Sequence, residues 1–291
     1  SNPLMEPVLV TGRFAPSPTG DLHFGSLVSA VGSYLEAKSN GGKWLIRIED
    51  LDPPREVEGS AKRIIDDLKW LGLVSDEAIL FQSARHKAYH AAVSKLLNDG
   101  LAFPCACSRK DIPASGVYPG TCRDGIKGEK APRTVRLRAE NIVTGFNDRL
   151  QGYVAGTIGD FVIKRADGLF AYQLAVVVDD EHQGVTQVVR GADLLDSTVR
   201  QIALQKAIGY QTPEYMHLPV AISPGGKKLS KRYASDPIQN KNARHIVSQA
   251  LQFLGHTPPG NLLLSELWEW AIDHWDAKQI PCKQTISINL T

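Results

Sequence analysis

The stretch RFAPSPTGDLHFGSL, Arg13 to Leu27, leaves a strand-like run through two prolines and a glycine and resumes with His-x-Gly at a helix start. A helix start collects unpaired amide N–H groups and the positive end of the macrodipole, which suits an anionic phosphate chain. Pro16 and Pro18 stiffen the approach, and Gly20 permits a turn. Gly25 leaves room for a ligand against the backbone, and His23 offers it a donor. An ordinary proline-bearing loop with a solvated histidine has the same spacing. Far downstream, GGKKLSKR (225–232) places Lys227, Lys228, Lys231 and Arg232 beside a serine, after a glycine pair that lets the loop move. Such a loop can close over a triphosphate and stabilise charge developing on departing pyrophosphate. Alone it reads more often as a solvated basic face; the two stretches together, in this order, favour the phosphate reading.

Three of the four cysteines, Cys105, Cys107 and Cys122, fall in one glycine-rich stretch, while Cys282 stands apart. Four cysteines do not make a disulfide framework in a 291-residue chain, and the clustering favours a metal over bridges. Zinc wants four ligands, and no histidine lies in the stretch, so buried reduced cysteines are an equal reading of the spacing.

The elements that position these residues begin with a βαβ unit. VLVTGRFA (8–15) reads as a strand, Leu22 to Lys38 as a helix and KWLIRIED (43–50) as a second strand, joined by a right-handed crossover into a parallel sheet. Helices follow at about 57–71 and 83–98. Periodicity then weakens; RTVRLRAE alternates, and DFVIKRADGLFAYQLA has the pattern of a hairpin turning at Ala166-Asp167-Gly168. The parallel pattern returns with VTQVVRG (185–191) and a helix over 197–208, and a helical tail closes the chain.

The expected fold is therefore α/β, a Rossmann-type doubly wound parallel sheet split by an insertion and followed by a small helical C-terminal region. Its expected divisions are 8–103 and 161–233 for the halves of the catalytic domain, 104–160 for the insertion and 234–291 for the tail. Apolar residues are 43% and charged residues 22%, and no apolar run approaches bilayer length, so no membrane segment is expected. The start of the chain lacks a signal-peptide pattern, Ser1 to Leu4 read as a cloning remnant, and the expected compartment is the cytoplasm. A net charge of +2 requires any polyanion to be met by a local patch. Arg133, Arg136 and Arg138, alternating on one strand, fit either RNA phosphates or a solvated strand face.

HFGS (23–26) and KLSKR (228–232) resemble the His-Ile-Gly-His and Lys-Met-Ser-Lys-Ser signatures of the class I aminoacyl-tRNA synthetases. GRFAPSPTGDLHFGSL, WLIRIEDLD and VVRGADLLDST are similar to the glutamyl branch, with Ser26 replacing the second signature histidine. The resemblance implies His23, Lys228 and Lys231 as catalytic residues, with His23, Gly25 and Lys231 contacting ATP. It also implies that Arg13 and Arg190 bind the carboxylates of L-glutamate, that Glu49 holds its ammonium, and that Ala15, Ser17 and Tyr172 complete the pocket. Asp179, Asp180 and Asp193 lie near the same edge, where capping and solvation weigh at least as much as ligand contact. No side-chain nucleophile is needed, and Mg²⁺ is expected to ride on the ATP phosphates.

CAC followed by GVYPGTC resembles the zinc-binding insert of a short glutamyl paralogue, implying a structural Zn²⁺ on Cys105, Cys107, Tyr118 and Cys122. Some sixty residues follow the basic loop, too few for a large anticodon-binding region, and LDPPREV (51–57) has the same affinity. On these features the chain resembles the glutamyl-queuosine tRNA(Asp) synthetases. That group activates glutamate without tRNA and esterifies it onto queuosine in the anticodon loop of tRNA(Asp). A monomer is the expected state. A conventional glutamyl-tRNA synthetase charging a 3′ end, and a non-catalytic glutamate or ATP sensor, are the alternatives that fold resemblance leaves open.

Overall fold

A computed structural model describes residues 9–139, 142–226, 238 and 242–289. The first βαβ unit forms as expected: β1 (Thr11–Phe14), α1 (Phe24–Ser39) and β2 (Lys43–Ile48), with β1 and β2 parallel and Arg13 level with Leu45. In α1 the spacing of Leu27, Val31 and Leu35 puts all three on one face, fully buried against the sheet. The short β3 (Leu80–Phe81) pairs parallel with β2 after α2 (Ser60–Trp70), and α3 (His86–Asn98) follows.

Next come β4 (Ala102–Cys105) and β5 (Thr134–Leu137), an antiparallel pair, and then a second antiparallel pair, β6 (Ile142–Asp148) and β7 (Gly152–Ile158). β8 (Phe161–Lys164) then returns to pair with β5, giving the order β4-β5-β8. The hairpin expected after it is only partly realised. Residues 166–168 do turn, but the returning arm makes a single bridge, Lys164 with Phe170. Tyr172 then starts α4 (Tyr172–His182). Leu174 to Val178 are all buried, so this helix shows no amphipathic period, and a short apolar run of that kind cannot be told from a strand by pattern.

β9 (Gln187–Gly191), α5 (Leu195–Ile208) and β10 (Glu214–Leu218) complete the parallel layer, β9 pairing parallel with β10. The Thr186 N–H donates to the Thr11 carbonyl, setting this second half beside β1. Two parallel sheets, β3-β2-β1 and β9-β10, thus lie side by side with β1 next to β9, and the chain order reverses between these two strands, the position where doubly wound sheets bind ligands.

The tail packs into the main core rather than standing as an appendage. After β11 (Val220–Ile222), α6 (Ala243–Phe253) and α7 (Leu264–His274) lie against α1, with Phe24 edge-on to Phe253 at 5.9 Å and Tyr34 edge-on to Trp268 at 5.1 Å. The Trp268 indole donates to the Leu71 carbonyl at 2.8 Å. A Cβ on Gly72, at φ +83°, would stand 2.9 Å from that indole nitrogen, so both conformation and contact require glycine. The tail is also not wholly helical: β12 (Thr285–Ser287) adds parallel to β11. Among the described residues no helix is long and apolar enough to cross a membrane.

Candidate active site

A cleft of about 420 Å³ opens at the carboxyl ends of β1, β2 and β9. Arg13, Ala15, Ser17, His23, Gly25, Glu49, Tyr172 and Arg190 all line it, together with Asp193. Lys228 and Lys231 lie outside the described residues.

The proline loop is built to run beside β2. The Pro16 carbonyl accepts from the Glu49 N–H at 2.9 Å and the Pro18 carbonyl accepts from the Val57 N–H at 3.0 Å. At both places the loop is needed only as an acceptor, so proline's missing N–H costs nothing. Gly20 takes no left-handed conformation; its peptide is tied instead to the Ser60 hydroxyl, which accepts from its N–H and donates to its carbonyl. His23 caps α1, its Nδ1 accepting from the Ser26 N–H at 3.3 Å. That bond puts the ring proton on Nε2, free to be donated, and burial lowers the imidazole pKa so that the ring is neutral. A Cβ on Gly25 would come within 3.2 Å of the His23 ring, so the glycine makes room for the histidine itself.

Arg13, at 4% exposure, lies against Asp180, which accepts from its Nε at 3.0 Å and its Nη2 at 3.1 Å. The same carboxylate accepts from Nη1 of the fully buried Arg47 at 2.9 Å. Burial opposes ionisation of Asp180, but the two guanidiniums outweigh it and hold its pKa down at about 2. Arg47 Nε also stands 3.5 Å from Glu49 Oε2. Gln82 donates to both Glu49 and Asp179, and Asp179 takes further hydrogen bonds from Tyr89 and Arg85. Asp179 and Asp180 are therefore neither caps nor solvated: both are buried, ion-paired members of α4. Glu49 differs, since burial together with repulsion from Asp180 and Asp179 exceeds the attraction of Arg47 and Arg13, and its pKa is pushed up to about 7.

Arg190 has no carboxylate partner among its hydrogen bonds. Its Nε donates to His217 Nε2 at 3.2 Å, and its Nη2 donates to Thr198 Oγ1 and Gln201 Oε1, each at 2.8 Å. Nη1 is buried without a partner among the described residues. Where a two-nitrogen fork would be expected for a carboxylate, one nitrogen carrying two N–H groups is left for it, on a side chain of undiminished charge.

Cys105, Cys107 and Cys122 come together in the insertion, their sulfurs within 4.8 Å of one another. Cys107 and Cys122 are 3.8 Å apart, and the Tyr118 oxygen is 3.2 Å from Cys105 and 3.7 Å from Cys107. Tetrahedral zinc with Zn–S near 2.3 Å requires sulfurs roughly 3.8 Å apart, so the donor set fits that ion. Burial opposes ionisation of Cys105, but hydrogen bonds from Tyr118 and from the Cys107 N–H prevail and draw its pKa down to about 7. Arg136 stacks over the Tyr118 ring at 4.1 Å and so faces this cluster, while Arg138 pairs with Asp124 at 2.7 Å. Arg133, the third arginine of that stretch, is exposed.

The residues that sequence reasoning missed are partners: Arg47, Asp148, Thr198, Gln201 and His217. Arg47 and His217 carried a signal, a polar residue inside an apolar strand, which demands a partner without saying which.

Strand order, cleft position and the His23 cap are those of a class I nucleotide-activating domain. Residues 9–115 and 121–257 match the catalytic domain of the tRNA synthetases class I (E and Q). The chain is 50% identical over 289 residues to the glutamyl-Q tRNA(Asp) synthetase of Chromobacterium violaceum, covering 95% of this chain and 97% of that protein. It is 50% identical over 279 residues to the enzyme of that name from Pseudomonas aeruginosa, covering 93% of this chain and 94% of that protein. The crystal structure of the glutamate-tRNA synthetase from Elizabethkingia anophelis superposes with a TM-score of 0.80 at 27% identity, covering 96% of this chain and 68% of that one. The chain belongs to the glutamyl-Q tRNA(Asp) synthetase family of the class I enzymes.

Proposed function

We propose that this protein activates L-glutamate with ATP in the absence of tRNA and transfers the glutamyl group to the queuosine base in the anticodon loop of tRNA(Asp). The observation that carries the reading is Nη1 of Arg190, without a partner among the described residues and buried in a cleft it shares with Glu49, Arg13 and Tyr172. A glutamate brings two carboxylates and an ammonium. Arg190 and the uncommitted Nη1 of Arg13 take the carboxylates, Glu49 takes the ammonium, and Ala15, Ser17 and Tyr172 shape the pocket.

In the first step an α-carboxylate oxygen bonds to the α-phosphorus of ATP and the bond to pyrophosphate breaks. In the second a queuosine hydroxyl attacks the mixed anhydride and AMP leaves. No side chain forms a covalent bond; the work is positioning and charge neutralisation. His23 Nε2–H and the cleft wall at Gly25 serve the nucleotide, Lys228 and Lys231 serve the phosphates, and Mg²⁺ riding on those phosphates would supply further charge neutralisation.

In this reading the protein acts as a cytoplasmic monomer, with 8–103 and 161–233 as the catalytic domain, 104–160 as the insertion and 234–291 as the tail. Zn²⁺ on Cys105, Cys107, Tyr118 and Cys122 clamps an insertion segment whose own core is only a handful of side chains. Elemental analysis should find one zinc per chain, lost in Cys107→Ser; absence of zinc from protein purified without chelator removes this assignment.

The deciding experiment transfers labelled glutamate to total tRNA from normal cells and from cells unable to make queuosine. Label on the normal tRNA alone is expected. Equal label on both would make the protein a conventional synthetase, and label on neither would leave a sensor.

A further inference from the structure

The structure assigns His217 and Asp148 as positioning residues for substrate binding, a buried relay that aims Arg190 by fixing one histidine tautomer. The assignment rests on the reading of Arg190 as a carboxylate ligand.

His217 lies on β10 and Asp148 at the end of β6, so the relay joins the inserted hairpin to the catalytic sheet. Both side chains are wholly buried, and Asp148 Oδ1 lies 2.6 Å from His217 Nδ1. Asp148 also accepts from the backbone N–H groups of Leu150, Gln151 and His217 at 2.9–3.1 Å. With this many donors around it the carboxylate is held ionised: burial opposes ionisation, but the bonds from His217 and the backbone lower its pKa.

An ionised Asp148 can only accept, so the ring proton stays on Nδ1 and is donated to it, which leaves Nε2 as an acceptor. That is the form Arg190 requires, because the guanidinium Nε can only donate. The other tautomer, or the imidazolium, would set an N–H against an N–H beside a fixed positive charge. Burial, and then the proximity of Arg190, keep His217 neutral against the opposing pull of Asp148 and Asp193. The Tyr215 ring stacks on the imidazole at 5.9 Å and fixes its plane.

Thr198 and Gln201 hold Nη2 and the histidine holds Nε, so the guanidinium has one orientation, with Nη1 as its unused end. A neutral clamp has a consequence that a carboxylate clamp lacks. It orients the arginine without spending its charge, and the substrate carboxylate meets a whole positive charge in a water-poor site.

Two near-isosteric substitutions separate positioning from packing. The Gln side chain can present its carbonyl oxygen where Nε2 stands and so still accept from Arg190. Asn can meet only Asp148 and leaves Arg190 Nε unpaired. For His217→Asn the glutamate KM in pyrophosphate exchange should rise about ten- to a hundredfold, the range for a lost hydrogen bond to a charged group. The KM for ATP should not move, and His217→Gln should restore most of the glutamate KM. Asp148→Asn should behave like His217→Asn, since its amide would donate to Nδ1 and drive the proton to Nε2.

Thermal melts of all three variants run alongside. Equal glutamate KM for His217→Asn and His217→Gln at equal stability would overturn the relay, as would a KM for ATP that rises in step. If Arg190→Ala itself retains wild-type glutamate activation, the failure lies with the pocket reading instead.

Discussion

The two arginines of the cleft are held in opposite ways. On the β1 wall, Arg13 shares its charge with Asp180, which also serves Arg47. On the β9 wall, Arg190 is held by a histidine, a threonine and a glutamine, all neutral. The first arrangement is a buried ion-pair network whose main product is a fixed scaffold; the second leaves a full charge for a ligand. Two arginines equivalent in the sequence thus have different capacities, and the difference lies in their partners.

The sharpest test of this contrast pairs two substitutions. Arg190→Ala removes the unshared charge, and glutamate-dependent pyrophosphate exchange should fall by about 3–5 kcal/mol of transition-state binding, roughly a hundred- to several-thousand-fold, with ATP binding retained. Asp180→Ala acts on the other wall, removing the ion-pair partner of the buried Arg13 and one of the carboxylates that face Arg47, and chemical denaturation should show a stability loss of about 3–5 kcal/mol. An unchanged exchange rate in the first variant would break the comparison, as would an unchanged denaturation midpoint in the second.

A smaller effect should appear in the pH profile. Glu49 titrates at about 7 in the free cleft, so below that pH it carries a proton that the substrate ammonium must displace. The glutamate KM should therefore climb as pH falls below 7, by at most about tenfold per unit, while Glu49→Gln should give a weak but flat profile. The same shift affects folding with a definite sign. A carboxyl group whose folded pKa is raised contributes stability that is complete below its unfolded value and is lost as pH rises through 7. A KM that stays flat in the native protein would show that Glu49 does not meet the ammonium.

Much of the site was legible because its parts are local. The proline loop and His23 cap lie within one βα connection, and Cys105, Cys107, Tyr118 and Cys122 lie within eighteen consecutive residues. Backbone hydrogen bonding and helix capping act over a few residues, so such features survive in a linear reading. The helix α4 was not legible: buried on nearly every side, it has no polar face to set a period.

By itself the sequence determined the parallel βαβ frame, the strand ends at which Arg13, Glu49 and Arg190 emerge, and the cluster of three cysteines and a tyrosine. Only the tertiary structure decided which charges cancel. Arg13 meets Asp180 across 167 positions and His217 meets Asp148 across 69. The physical reason is that burial makes a partner obligatory for every charge and polar group without naming it. The partner is fixed by which strand ends and helix faces the folded sheet brings within hydrogen-bond reach.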